Sequence, residues 1–403
     1  MNKEEFTAMM RLLVSLMMIF GITLPLSAAT LSVPDQYPTI QAASAAAQDN
    51  DTVLIEAGIY NDSSIITIWS QNNLTLKGSG GMAVLDATGI DIPNGKAIFV
   101  ISGNNVVVEQ IEFTGADVPD NNGAGIRYEG TGKLTVKNAY FHDNEMGILT
   151  GNLGTEEIVI DSCEFHDHGK SNNGFSHNIY IGRGAKFTMT GSYSHDAYIG
   201  HNVKSRADEN YILYNRIFDL DEHSSDRASS YLIDLPEGGL SYVIGNELHQ
   251  SAKAENTTAI SYARENRNGP LQTLYFVNNT LVNDRNNGIA LNMGGTPGGK
   301  IINNIFDNFR TIRSGTFTGE EHRNIENPTF IDRALYIYQL QRGSAGIDAG
   351  VDPGSGNGFA LTPVFQYRHP LEKTARPRDG KLDIGAFERA GKGIHTLVPL
   401  LLD

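Results

Sequence analysis

Cysteine is nearly absent: Cys163 is the single thiol in 403 residues, so the chain can form no internal disulfide. It lies among alternating apolar residues, in Ile160-Asp161-Ser162-Cys163-Glu164-Phe165, and reads as a buried, inert thiol rather than a nucleophile. Positive charge is also short. Thirty-one Lys and Arg stand against forty-six Asp and Glu, a net charge of −15, which repels a phosphate backbone and argues against a nucleic-acid partner. A local basic site for an acidic ligand stays open. No long amphipathic helical pattern occurs, which removes helical bundles and leaves the apolar residues to short strands.

Long apolar runs are confined to the N-terminus. Arg11, an apolar stretch from Leu12 to Leu26 and Ser27-Ala28-Ala29 follow the order of a secretory signal, and the stretch, with Pro25 near its end, is short for a membrane span. Residues 1–29 are therefore expected to be an export signal cleaved after Ala29, giving a secreted or periplasmic monomer with no membrane attachment. Glu4 and Glu5 are foreign to such a region and point to Met9 or Met10 as an alternative start.

What the sequence has in quantity is turns and short strands. Forty-three Gly, with many Asn and Asp, punctuate apolar segments of four or five residues. One set of segments comprises Gly125-Ile126-Arg127-Tyr128, Gly147-Ile148-Leu149-Thr150, Asn178-Ile179-Tyr180-Ile181, Asn202-Val203-Lys204-Ser205, Tyr231-Leu232-Ile233-Asp234-Leu235, Ala259-Ile260-Ser261-Tyr262 and Gly288-Ile289-Ala290-Leu291, spaced about 22 to 31 residues apart. A second set follows each by about ten residues and stops at Asn, Asp or Gly, as in Tyr211-Ile212-Leu213-Tyr214-Asn215 and Tyr242-Val243-Ile244-Gly245-Asn246. Those terminal residues tolerate the left-handed conformation and predict a corner at the same place in each repeat. A propeller blade needs about forty residues, so the period favours a parallel β-helix. Thr39 is placed to N-cap a short Ala-rich helix over the first coil.

The Pro38-Thr39-Ile40-Gln41-Ala42-Ala43 start with Gly58-Ile59-Tyr60, the Asn-punctuated coils, and the tail from Asn327-Pro328-Thr329-Phe330 through Gly343-Ser344-Ala345-Gly346-Ile347-Asp348-Ala349-Gly350 to Asp383-Ile384-Gly385-Ala386-Phe387-Glu388 resemble secreted proteins of the pectate-lyase-like superfamily. The resemblance implies an all-β fold, a single-stranded right-handed parallel β-helix solenoid over 30–323, with a short N-terminal capping helix and a loop-rich C-terminal cap over 324–403. It leaves the reaction open, since that superfamily holds polysaccharide lyases, uronan C5-epimerases, glycoside hydrolases and non-catalytic surface proteins.

Candidate chemistry centres on two tandem rungs, His177-Asn178-Ile179-Tyr180 and His201-Asn202-Val203-Lys204. Strand alternation turns Ile179, Ile181, Val203 and Ser205 inward and Tyr180, Lys204 and Arg206 outward, with Lys204 and Arg206 about 7 Å apart and Asp234 on the next coil. Arg pairs with a carboxylate in bidentate fashion and Lys serves as a base beside another cation, which suits β-elimination on a uronic acid. Lys204, Arg206, Tyr180, His201 and His177 are the candidate catalytic residues, and Asn178, Asn202, Asp234 and Arg264 the candidate substrate-binding ones. His177 and His201 share inward parity at the corner, either as a structural ladder or with one ring reaching the cleft as a base. A further repeat, His142-Asp143, His166-Asp167 and His195-Asp196, ends three successive second strands, and is either a stack held for packing or a metal site. The run Asp219, Asp221, Glu222 and Asp226 matches no rigid calcium motif, so no metal ligand is assigned. The resemblance itself implies that lyases of this kind use exposed Lys and Arg, often with Ca²⁺ between acidic sugar and protein. The expected partner is an acidic polysaccharide. Lyase chemistry leads, followed by epimerase, hydrolase (only Asp234 is an evident acid on the strip) and a non-catalytic glycan-binding β-helix.

Overall fold

The computed structural model describes residues 28–169, 176–220, 229–265, 272–378 and 380–389. The expected export signal lies almost wholly outside the described residues, as do Asp221, Glu222 and Asp226. Among the described residues no helix is long and apolar enough to cross a membrane.

The chain winds into a right-handed parallel β-helix of about nine turns. Each full coil lays down three strands, as in Met146–Thr150, Glu157–Asp161 and Glu164–His166. The sequence pattern showed the first two sets and missed the third, so the His-Asp repeats end third strands, not second ones. The first strands form a ten-stranded parallel front sheet from Thr67–Trp69 to Thr311–Ser314. Second and third strands are joined into one larger sheet by the long early strand Thr75–Asp86, which pairs with strands of both sets.

Parallel stacking places equivalent residues of successive coils in contact. Inside the solenoid Phe113, Phe141 and Phe165 stack with ring planes within 11° and centroids less than 5 Å apart. Asn215, Asn246, Asn279, Asn304 and Asn324 form a second ladder. Each of the first four donates from its backbone N–H and its side-chain amide to the Oδ1 of the next, at 2.9–3.1 Å. The left-handed residue of these corners is the one before the ladder position: Tyr214, Gly245, Asn278 and Asn303 have φ of 58°, 67°, 51° and 60°. Gly245, Asn278 and Asn303 belong to the predicted Asn-or-Gly endings, whereas at the Asn215 corner the left-handed residue is Tyr214, one position earlier than expected. The preceding residue turns the chain, and the Asn caps the buried backbone of the coils.

The helix Ile40–Ala46 covers the first coil, with Thr39 Oγ1 accepting from the N–H of Ala42 at 3.1 Å and Ile40 and Ala43 buried. Cys163 is fully buried and its thiol is pushed up to about 12 by desolvation. The last coil strand is Ile325–Glu326. The segment that follows does more than close the end: through three antiparallel hairpins it returns along the flank. Phe330, Tyr338, Tyr367 and Phe387 pack on Tyr193, Phe218 and Val282, and Leu361 packs on Tyr242 and Tyr275. Lys373 reaches Asp161 and Thr190, five coils from Ile302, roughly 24 Å by the inter-strand spacing.

Candidate functional site

The front sheet holds one outward row in register: Leu149, Tyr180, Lys204, Asp234, Ser261 and Asn292 pair successively from coil to coil. The row is apolar at one end, where Tyr180 packs against Val100, Met146 and Leu149, and polar at the other. Lys204 occupies the centre. Its side chain is 14 % exposed, with Nζ 3.7 Å from Asp234 Oδ2 and 5.1 Å from the centroid of the Tyr180 ring. Burial raises the Asp234 carboxyl above its ordinary range, against the opposing pull of Lys204 and a hydrogen bond with Ser261.

His177 and His201 form a second row beside the first. Their rings stack at 4.6 Å, His201 continues onto Tyr231 at 4.7 Å, and His177 meets the Tyr180 ring edge-on at 5.3 Å. The inward parity read from the sequence is overturned, because both rings stand on the outer side with Tyr180 and Asp234. The corner breaks the alternation before each strand begins. The backbone N–H of His201 donates to His177 Nδ1 at 3.0 Å, and that of Tyr231 donates to His201 Nδ1 at 3.3 Å. Each ring therefore carries its proton on Nε2, and that of His201 lies 3.5 Å from Asp234 Oδ2. Desolvation, reinforced by Lys204, lowers His201 to about 3, and His177 is lowered well below its ordinary value by burial and its cationic neighbours. At neutral pH both are neutral, and His201 is oriented as a donor toward Asp234.

Arg206 does not present a bare guanidinium. Nε donates to the Tyr180 hydroxyl oxygen at 3.1 Å, Nη1 to Glu237 at 2.8 Å, and Nη1 and Nη2 to Glu265 at 2.6 and 3.1 Å. Burial opposes its charge, but the hydrogen bonds with Glu265 and Tyr180 outweigh that and raise its pKa. Glu237 is also clasped by Arg183, through Nε at 2.9 and 3.0 Å and Nη2 at 2.8 Å. Burial of Glu237 is outweighed by these two arginines, which hold it below the usual carboxylate range. The expected role of Arg206 as a free clamp and as an uncompensated cation beside Lys204 gives way to that of a tether for Tyr180.

Asn178 and Asn202 lie inside the coil, with no exposed surface. Asn178 Nδ2 donates to the carbonyl of His195 at 2.8 Å and to Asn202 Oδ1 at 3.0 Å, and Asn202 Nδ2 donates to Asp219 Oδ1 at 2.8 Å. They brace the rung and do not reach a ligand, a correction to their expected substrate-binding role. Arg264 is exposed, just beyond the strand Thr258–Tyr262, where its charge acts on the Tyr231 hydroxyl. Sequence reasoning missed Arg183, Tyr231, Glu237 and Glu265. All four lie at corners, where strand parity gives no direction; the available signal was the recurrence of charge just past the front strands of neighbouring coils.

The carboxylates described on this face, Asp234, Glu237 and Glu265, are each engaged with a cation. That arrangement does not fit Ca²⁺, which takes six to eight oxygens.

No family model and no curated protein matches the chain in sequence. Among solved structures it is similar to pectate lyase Pel9A, at 14 % identity and a TM-score of 0.58, over 90 % of this chain and 96 % of that one. An alginate lyase from Paenibacillus sp. str. FPU-7 aligns at 13 % identity and a TM-score of 0.40, over 73 % of this chain and 99 % of that one. The A-module of mannuronan C-5 epimerase AlgE6 from Azotobacter vinelandii aligns at 14 % identity and a TM-score of 0.34, over 72 % and 94 %. The likeness to Pel9A establishes the fold, a right-handed parallel β-helix.

Proposed function

We propose that the protein is a secreted polysaccharide lyase that cleaves a uronate-containing glycan by β-elimination along the front-face row. The observation that carries this reading is Lys204, an outward amine held between an aromatic ring and a carboxyl at the centre of a row running from coil to coil. Such a row suits an extended polymer. The fold shared with a pectate lyase over nearly the whole chain supports the same substrate class.

In the proposed reaction Lys204 Nζ takes the C5 proton, the C5–H electrons form the C4–C5 double bond, and the C4–O bond breaks. The leaving oxygen receives the Tyr180 hydroxyl proton. Because Arg206 Nε donates to that hydroxyl oxygen, the O–H is left to point away from Arg206. Arg264, exposed beside the row, supplies the cation for the sugar carboxylate. Lys204 acts as a base only as the neutral amine.

Incubation with alginate, pectate and glycosaminoglycans should give unsaturated ends absorbing in the near ultraviolet from one of them, and Lys204→Ala should remove that product. No absorbance from any polymer would sink the lyase reading. A hydrolase reading has one observation in its favour: Asp234 is biased toward its acid while Glu237 is held ionised, the opposed pair a glycosidase needs. New reducing ends without absorbance would establish it.

A further inference from the structure

Away from the front face, the third strands bring a set of imidazoles and carboxylates together. His142, His166 and His195 pair in register on consecutive coils, with rings stacked at 5.4 and 4.8 Å. Each ring has the carboxylate of the following Asp at its Nδ1: Asp143 at 2.7 Å, Asp167 at 2.7 Å and Asp196 at 2.6 Å. Those Asp residues have φ of 52°, 55° and 49°, so the corner conformation aims each carboxylate back at its own histidine. This contact puts the proton on Nδ1 and leaves the Nε2 lone pair facing away from the corner.

What faces Nε2 is not what packing alone requires. Opposite His166 Nε2 is the hydroxyl of Tyr140, a donor, at 2.5 Å. Opposite His195 Nε2 is Glu164 Oε1 at 3.3 Å. An imidazole with a carboxylate on each nitrogen needs a second proton or a metal ion to match both acceptors, and His142, with Glu112 Oε1 3.1 Å from its Nε2, shares the arrangement; Asp143, Asp167, Asp196, Glu112 and Glu164 thus set five carboxylates against three rings, a surplus of negative charge that a divalent cation would balance. Ring stacking explains the parallel planes, but not that second carboxylate.

We propose that Glu164, His166 and His195 form a site for a divalent transition-metal ion of the Zn²⁺ class, bound through the two Nε2 atoms and one carboxylate oxygen. The three ligand atoms lie within 4.8 Å of one another. A tetrahedral ion with bonds of 2.0–2.1 Å holds its ligands roughly 3.4 Å apart, so binding draws the ligand atoms together by up to roughly 1.4 Å, through the Glu164 side chain and the two ring torsions. Imidazole nitrogens favour Zn²⁺, Cu²⁺, Ni²⁺ or Co²⁺ over Ca²⁺ or Mg²⁺. Asp167 and Asp196 are the outer carboxylates that orient metal-binding histidines and strengthen their donation. The side chains of His166, His195 and Glu164 are 15 %, 10 % and 24 % exposed, so an ion can enter from solvent. The ligands come from two adjacent coils, and the ion would staple them beside the returning C-terminal segment, where His369 meets the Tyr193 ring at 5.2 Å.

The test is titration of chelator-treated full-length protein with Zn²⁺ by calorimetry, and with Co²⁺ by visible absorption. We expect one equivalent of Zn²⁺ and Co²⁺ bands typical of a four- or five-coordinate nitrogen and oxygen site. His166→Gln and His195→Gln should each weaken binding tenfold or more, while His142→Gln leaves the stoichiometry unchanged. Glu164→Gln, which alters a more exposed residue, should weaken binding at least tenfold with an unchanged circular dichroism spectrum, and so decides the matter if a histidine variant misfolds. The proposal is overturned if no saturable Zn²⁺ uptake occurs below millimolar concentration. Unchanged affinity in Glu164→Gln would overturn it equally, locating the ion elsewhere, for example at the exposed His322 and Glu320 pair.

Discussion

At the scale of single residues the front site is a balance of charge. Lys204 and Arg206 face three carboxylates, and the roles of the two cations separate by how tightly each is held. Lys204→Gln is expected to lower turnover by about 10²–10⁴, the usual worth of a positioned base, with the fold intact by circular dichroism. Arg206→Ala should lower kcat less, with little change in KM, because it loosens Tyr180 without removing a group that touches sugar; Arg206→Lys should recover part of the loss. Asp219 gives a stability prediction. Burial raises it to about 7, so the native state binds the proton more tightly than the unfolded chain, and this contribution is full below the ordinary carboxylate range and lost as pH rises toward 7. Melting temperatures of Asp219→Asn and wild type compared from pH 4 to 8 should therefore shift steadily in favour of the variant. Strand parity made Tyr180, Lys204 and Asp234 legible in the sequence. It could not show that Arg206 is neutralised, because Glu237 and Glu265 act from corners and their contact with Arg206 spans 31 and 59 residues.

At the scale of the element, repetition made the fold legible and also limited what could be read. First strands such as Met146–Thr150 and second strands such as Glu157–Asp161 are five residues long and carry enough alternation to be recognised, and the three-residue first strands Ile179–Ile181 and Val203–Ser205 are marked by the His-Asn repeat before each. Third strands such as Tyr193–His195 and Arg216–Phe218 are three residues long, with a turn at each end, and leave no period to measure. The Asn ladder shows the same limit: composition located the corner, yet only the backbone angles separate the residue that turns from the residue that braces. Bracing has a measurable worth. Asn246→Ala would strip the acceptor from both donors of Asn215 and remove the bonds from Asn246 to the Ile212 carbonyl and to Asn279. Buried donors left unmatched cost about 1–3 kcal/mol each, so a loss of about 2–4 kcal/mol is expected in chemical denaturation, whereas Asn246→Asp should be milder at low pH, where its carboxyl can still donate.

For the whole molecule the C-terminal segment is the part least like a repeat. The tail motif signalled a closing segment, but nothing local could signal its path, since Lys373 and Asp161 are 212 residues apart. Arg376 fastens it. Its buried guanidinium donates to Glu388 at 2.9 Å and to the Ala386 carbonyl at 2.8 Å. Arg376→Ala leaves Glu388 buried without its cation, a defect of about 3–5 kcal/mol. Limited proteolysis of that variant should cut first between 330 and 389 while the coils retain their circular dichroism; cutting first within the coils would show that the segment does not act as a separate unit.

The two ends of the ladder are finished differently. A parallel solenoid offers an unpaired strand edge at each end, and two copies joined head to tail would propagate as a filament, because such a contact closes on nothing. The helix Ile40–Ala46 screens the first edge. The last carries Glu320, Glu321 and His322, all exposed, on its second strand, just before Ile325–Glu326. The fold thus carries its own terminator: a last rung that meets any further stacked strand with charge and not with an apolar row.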